Sequence, residues 1–497
     1  MASPRDIANR IPITVGLMLA TLMNSLDSTI ANVALPHMQG SFSAAGDQMT
    51  WVLTSYIVAT ALMTPLTGWL SSRVGARNVF LVSIVGFTIT SMLCGSASSL
   101  AEIVVFRVLQ GLCGAALMPL SQSVMLDLYP PHMVGQVMAI WGAGTLLGPI
   151  FGPLLGGWLT DNFSWRWVFY INLPVGILAF AAVWVFMSPD KGRKGRPFDF
   201  LGYGALVVFI VGLQLALDRG PDQDWFSSPE IWAETICAAI GLYVFLIQIV
   251  TARHPFFDRA LAFDRNFVMG NIFGIVLGVL LFATMALQPP LMQGLMGYSV
   301  FGAGLVMMPR GIGSFVSMLV VGRMVGKFDT RLLLAIGLFM CSAALLQMSH
   351  FDLSMTTMPF VTSGLIQGFG MGFMFVPMTA LCFATLDPKL RPDGTSVFAL
   401  VRSLGQSVGI SVMEALFVRQ SAVAHGDMAA AVQPGNPVQG GMGAGLEGLN
   451  GEITRQAAMV GYVDVFRLMF FGSLMIIPLV LFLRPPKSAA PTELAMD

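Results

Sequence analysis

Five ionisable side chains, Asp27, Arg107, Arg310, Arg402 and Glu414, interrupt long apolar runs in this chain of 497 residues. A charge held in hydrocarbon is costly, so each marks a path for protons, ions or substrate by default. Asp27 lies nine residues before Pro36. At 1.5 Å per residue that places it about 13 Å below the outer end of its helix. Asn24, Ser28 and Ala31 share its face at helical spacing and make a polar stripe that must look into a bundle. A carboxyl in such a place gains affinity for a proton when dry and loses it beside a cation, so water access governs its charge. The competing reading is a polar cap for a neighbouring helix. Arg107, at similar depth, is the natural cation, and Gln110, Gly111 and Gly114 continue its inward face; its competing role is to snorkel to outer headgroups.

The other three are less specific. Arg310 stands between Pro309 and Gly311, where a cation would neutralise carbonyls loosened from the helix. Glu414 lies near the outer end of its run and suits either coupling or an interfacial position. Arg402 shares a face with Gly405 and Gln406. Together with Asn24, Gln110, Gln288, Gln293, Met307 and Gln367, Arg402 is a candidate lining residue of a midplane cavity. The abundant Met and Phe side chains would make such a cavity greasy and loosely selective.

Other chemistries find little support. His37, His132, His254, His350 and His425 all fall in loops or at span ends, which argues against haem or a catalytic metal in the membrane interior. Cys94, Cys113, Cys237, Cys341 and Cys382 follow no motif spacing, so buried thiols are expected, with neither a disulfide framework nor a metal site. No Ser or Cys nucleophile has a base at readable spacing. The expectation is a protein that is not an enzyme and carries no cofactor.

These residues need a scaffold, and the composition names its kind. The chain is 55% hydrophobic and only 10% charged, with mean hydropathy +0.76, which is an integral membrane protein. Net charge is zero and gives no sign of nucleic acid. Apolar runs predict fourteen spans, near 12–35, 49–70, 79–98, 102–126, 135–159, 167–188, 200–217, 230–250, 268–290, 300–325, 332–349, 356–383, 394–417 and 464–483. With the N-terminus inside, eighteen Lys and Arg fall in inside segments and five outside, which supports an even number of spans with both termini cytoplasmic. No cleaved signal is expected.

An internal repeat divides the chain. Gly68, Arg73 and Arg77 recur as Gly322, Lys327 and Arg331; Gln110 and Gly111 as Gln367 and Gly368; Gly144 and Gly148 as Gly405 and Gly409. The copies lie 254 to 261 residues on, one span onto the span eight later, so they are parallel about an axis along the membrane normal. This predicts a six-helix bundle over 1–188, a basic linker and two inserted helices over 189–250, and a second six-helix bundle over 251–497. Residues 419–463 are expected to be a long, partly disordered periplasmic loop with a short helix near 453–459. Between the halves lies 141–158, with Gly144, Gly148, Gly152 and Gly156 at helical spacing, then Gly157. Its bare edge lets another backbone approach, and Pro149 and Pro153 should bend it.

The sequence resembles the major facilitator superfamily, and within it the fourteen-helix drug:proton antiporters of the EmrB/QacA type. Residues 26–36 (LDSTIANVALP) are similar to the first-helix signature, 68–75 (GWLSSRVG) to the loop motif, 107–111 (RVLQG) to the fourth-helix motif, and 141–158 to the antiporter motif. Residues 165–174 (WRWVFYINLP) and the turn 218–228 point to the EmrB branch. The resemblance implies an all-α major facilitator fold arranged 6+2+6 in a bacterial inner membrane. It implies a pump driven by the proton motive force that expels hydrophobic toxic compounds with a periplasmic adaptor (a membrane fusion protein) and an outer-membrane channel. Ser72 stands where the loop motif usually has an acid, so the ion pairs made from that position do not carry over. Whether Arg73 pairs with Asp127 instead is open. Export of an endogenous lipid or metabolite is the alternative, separable with a substrate panel; an embedded enzyme or sensor would show turnover or signalling without proton flux.

Overall fold

The computed structural model describes residues 4–44, 46–189, 192, 197–432 and 445–483. The expected basic residues Lys191, Arg193, Lys194, Arg196, Arg484 and Lys487 lie outside them, as does the glycine-rich stretch 433–444.

Hydrocarbon leaves no water to satisfy backbone polar groups, so the chain answers with helices. They are α1 (Arg10–Phe42), α2 (Gly46–Met63), α3 (Leu66–Val74), α4 (Ala76–Ser96), α5 (Leu100–Gly114), α6 (Leu117–Leu128), α7 (Val134–Asn162), α8 (Trp167–Tyr170), α9 (Asn172–Phe186), α10 (Phe200–Arg219) and α11 (Pro229–Thr251). The second part continues with α12 (Arg265–Pro290), α13 (Val300–Met324), α14 (Thr330–Met348), α15 (Met358–Ala384), α16 (Arg391–Ala431) and α17 (Gly445–Ile476). Among the described residues, with α5 and α6 taken as one span and α8 and α9 as another, thirteen helices are long and apolar enough to cross a membrane, and α2 with α3, bent by 53°, makes a fourteenth. The bend sits at Pro65, whose missing N–H interrupts the ladder. Pro119 similarly explains the break between α5 and α6.

Neighbours repeat along the chain. α1 packs on α7, α2 on α5, α4 on α5, and α4 on α9; in the second part α12 packs on α16, α13 on α15, α14 on α15, and α14 on α17. Helices α10 and α11 pair with each other and touch the rest mainly through α2 and α16. Their outer turn is held by Arg219, which pairs with Glu230 and, at 2.7 Å, with Glu234.

Two expectations need correction, and one open question is answered. The stretch 419–463 is not a loop with one short helix: α16 runs on to Ala431 and α17 starts at Gly445. Its polarity says that it leaves the bilayer, but residues 410–425 contain neither Gly nor Pro and are rich in good helix formers, so the helix continues. The thiols are not uniformly buried, since Cys237 is exposed and Cys113 only half-buried. Asp127 pairs with Arg391 at 2.6 Å, while Arg73 is exposed and stacks on the Trp69 ring. A cation at the start of α16 reaches the end of α6 because these helices abut.

Candidate functional site

The glycine edge of α7 sets the site. Ser25 and Thr29 of α1 lie against Gly148 and Gly152, where a methyl group would overlap them. Ser25 donates to Thr145 O at 2.6 Å and Thr29 to Gly148 O at 3.1 Å, so their hydroxyls are satisfied within the seam. Asp27, two residues from each, is thereby turned to the far side of α1, toward α5 and α9. Helix α7 itself runs unbroken through Pro149 and Pro153.

There Asp27 is fully buried in a closed network. Arg107 Nη1 meets its Oδ2 at 2.6 Å, Gln110 Nε2 donates to Oδ1 at 2.8 Å, and Asn172 Nδ2 donates to Oδ1 at 3.0 Å. Arg107 is 1% exposed and also donates to Val52 O and Gln110 Oε1. Its guanidinium lies 4.0 Å from the Tyr56 ring centroid, a cation–π contact strengthened by the dry surroundings. The Tyr56 hydroxyl in turn donates to Asn24 Oδ1 at 2.9 Å. Gly111 makes this possible: a Cβ there would stand 2.6 Å from Tyr56 O, so only glycine lets α2 come close enough. A buried ion pair gains little net stability, but removing one partner strands the other charge at a cost of about 3–5 kcal/mol. The network is therefore sensitive to any event that neutralises Asp27, and a proton is the smallest such event.

Of the other expected residues, Arg310 and Gln367 meet at Thr284, with Arg310 Nη2 to its Oγ1 at 2.8 Å and Gln367 Nε2 at 3.2 Å. Gln288 is buried against the Met348 sulfur. Gln293 and Met307 are half-buried elsewhere, Met307 packing in the apolar cluster of Leu287, Leu291 and Phe466. Arg402 is half-buried, with Nη2 near the Met118 sulfur across the boundary between the two sets of helices. Glu414 is exposed on α16, 23 residues from its start, which agrees with a place near the outer end of its span. Gly68 faces Asp393, with no room for a side chain. Three members of the Asp27 network escaped the sequence reading. Asn172 lay in view, a lone amide before Pro174; Tyr56 and Ser91, which accepts from Asn172 at 2.9 Å, gave no signal of charge or spacing.

The family model described as Major Facilitator Superfamily matches residues 17–410. The chain belongs to the major facilitator superfamily. It is a multi-pass membrane transporter, with the all-α fold of that superfamily. It is 34% identical to the multidrug export protein EmrB of Escherichia coli K12 over 98% of both chains, and 34% identical to the fatty acid resistance protein FarB of Neisseria gonorrhoeae over 95% of this chain and 96% of that one. Among solved structures it is similar to the proton:xylose symporter XylE, with TM-score 0.61 and 14% identity over 95% of this chain and 96% of that one, a likeness of fold alone.

Proposed function

We propose that this superfamily member is a proton-coupled antiporter that exports hydrophobic toxic compounds across a bacterial inner membrane, with both termini cytoplasmic. The observation that carries the reading is the fully buried Asp27–Arg107 pair. A proton arriving from outside neutralises Asp27, releases Arg107, and leaves Gln110 and Asn172 donating to a weaker acceptor. Helix α1 then shifts against α5, and its glycine-lined contact with α7 carries the shift to the boundary that α7 shares with α13. In this reading residues 1–188 and 251–497 are the two bundles that rock, 189–250 rides between them, and no cofactor beyond the proton motive force is needed. One charge moving inward supplies about 2.3 kcal/mol per 100 mV, enough to bias such a swing.

Export through a periplasmic adaptor and an outer-membrane channel is part of the same proposal. Helix α16 has 41 residues, which at 1.5 Å each is about 60 Å, roughly twice a hydrocarbon core. The outer part of α16 and the start of α17 would thus stand clear of the lipid as a docking stalk. The name of FarB favours counting fatty acids among the exported compounds, beside drugs. Efflux in proteoliposomes under an imposed pH gradient tests the reading: Asp27→Asn, which resembles the protonated acid, should abolish efflux while the protein still inserts. Wild-type efflux from that variant would refute the role of Asp27.

A further inference from the structure

The internal repeat carries the Asp27 site onto a second site of different chemistry. Thr284 stands 257 residues after Asp27, as Gln367 does after Gln110. The hydrogen bond from Gln110 to Asp27 is matched by one from Gln367 to Thr284. The cation has changed helix: Gly364 occupies the position of Arg107, and Arg310 that of Tyr56, 254 residues on. So the second site keeps a guanidinium and an amide but has lost its carboxylate.

That loss leaves atoms unsatisfied. Arg310 is 5% exposed, Gln367 1% and Thr284 fully buried. Arg310 Nη2 is used by Thr284 and by Leu281 O at 3.1 Å, whereas Nη1 has no hydrogen-bond partner among the described residues, and neither has Gln367 Oε1. Buried orphans of this kind are rare and demand a reason. An uncompensated guanidinium is the more costly of the two, because its charge has been taken from water without a counter-charge. A carboxylate answers the costlier orphan: its oxygens accept from Nη1 and bring the counter-charge that Arg310 lacks. Leu281, whose carbonyl Arg310 meets, packs in one buried apolar cluster with Met371, which suits a hydrophobic ligand. Gly311, next to Arg310, abuts Ile150 of α7, so the site borders the boundary that opens when the bundles move.

We infer that Arg310, Thr284 and Gln367 form a binding site for the carboxyl group of a hydrophobic monocarboxylic acid, the ligand supplying the acid that Asp27 supplies in the first half. The inference rests on the exporter reading for its purpose but not for its test. Binding of dodecanoate and of its neutral isostere dodecanamide to the purified full chain in nanodiscs, without any gradient, reads it directly. The wild-type protein should prefer the acid. Arg310→Gln should weaken dodecanoate binding by about tenfold or more, the usual scale for a lost charged hydrogen bond, and weaken dodecanamide binding by a clearly smaller factor, since the amide loses no charge pairing. Thr284→Asp, which places a resident carboxylate beside Arg310, should do the same in a chain whose buried cation is now paired, so it guards against misfolding of the first variant. Equal wild-type affinity for acid and amide, or wild-type dodecanoate binding in Thr284→Asp, would overturn the inference. Dodecanoate binding retained in Asp27→Asn, with efflux lost, is expected if the two sites act separately. Dodecanoate binding lost in Asp27→Asn would count against a self-sufficient second site.

Discussion

At the scale of single residues, the chemistry is a contrast between a compensated and an uncompensated cation. Arg107 is held by Asp27, a ring face and two carbonyl-type acceptors; among the described residues Arg310 has two acceptors and no carboxylate. Asn172 is the least obvious contributor. Asn172→Leu should cost about 1–3 kcal/mol of stability, since it removes one donor from a buried carboxylate and one from Ser91, and thermal unfolding of the purified protein would read it. A variant as stable as wild type would mean that the amide merely fills space. Asp27 and Arg107 were legible in the sequence because a charge in an apolar run has few explanations. Asn172 and Tyr56 were not, because neutral polar and aromatic side chains are ordinary in membrane helices until a partner is seen.

At the scale of elements, the glycine seam of α7 is the part on which placement of Asp27 depends. Helices in lipid gain nothing from hiding apolar surface from one another, so small residues and close backbone contact must hold them. Gly148→Val would drive a branched side chain into the backbone of Ser25 and should destabilise the protein by about 1–3 kcal/mol while misplacing Asp27. Efflux and thermal stability should fall together; full efflux in that variant would show that α1 can sit elsewhere. Gly75 has a related duty: its φ of +97° turns the chain from α3 into α4, a conformation that L side chains rarely adopt. Spans were readable to within a few residues because hydropathy and length settle them. The far ends of α16 and α17 were not, because polarity reports solvent and not helicity.

At the scale of the whole molecule, the two sets of helices meet tightly at one end. Arg391 of α16 pairs with Asp127 and donates to Leu126 O at 3.0 Å, Thr67 and Ser396 share a hydrogen bond of 2.7 Å, and Gly68 lies against Asp393. In the orientation proposed above, with both termini cytoplasmic, this is the cytoplasmic end, and it would be the closed gate of an outward-facing transporter. The Asp127–Arg391 pair is partly exposed, at 28% and 17%, and is worth about 0.2–1 kcal/mol, or at most roughly a fivefold shift in population. Asp127→Asn should therefore raise thiol labelling of a reporter cysteine at this end by up to that factor, and the exchange Asp127→Arg with Arg391→Asp should restore protection. Unchanged labelling in the single variant would remove the pair from the gate.

The sequence by itself determined that this is a multi-pass helical protein built on a repeat, with one acid and one arginine poised in its first half, because hydropathy, positive charge and helical spacing are local properties. Only the tertiary structure decided which groups complete the Asp27 network, that Arg391 rather than Arg73 takes Asp127, and that Arg310 is left facing a threonine where its counterpart has an acid. Those outcomes depend on which helix faces approach each other, and that is fixed by glycine contacts between segments far apart in the sequence, such as Gly148 with Ser25, Gly111 with Tyr56 and Gly68 with Asp393.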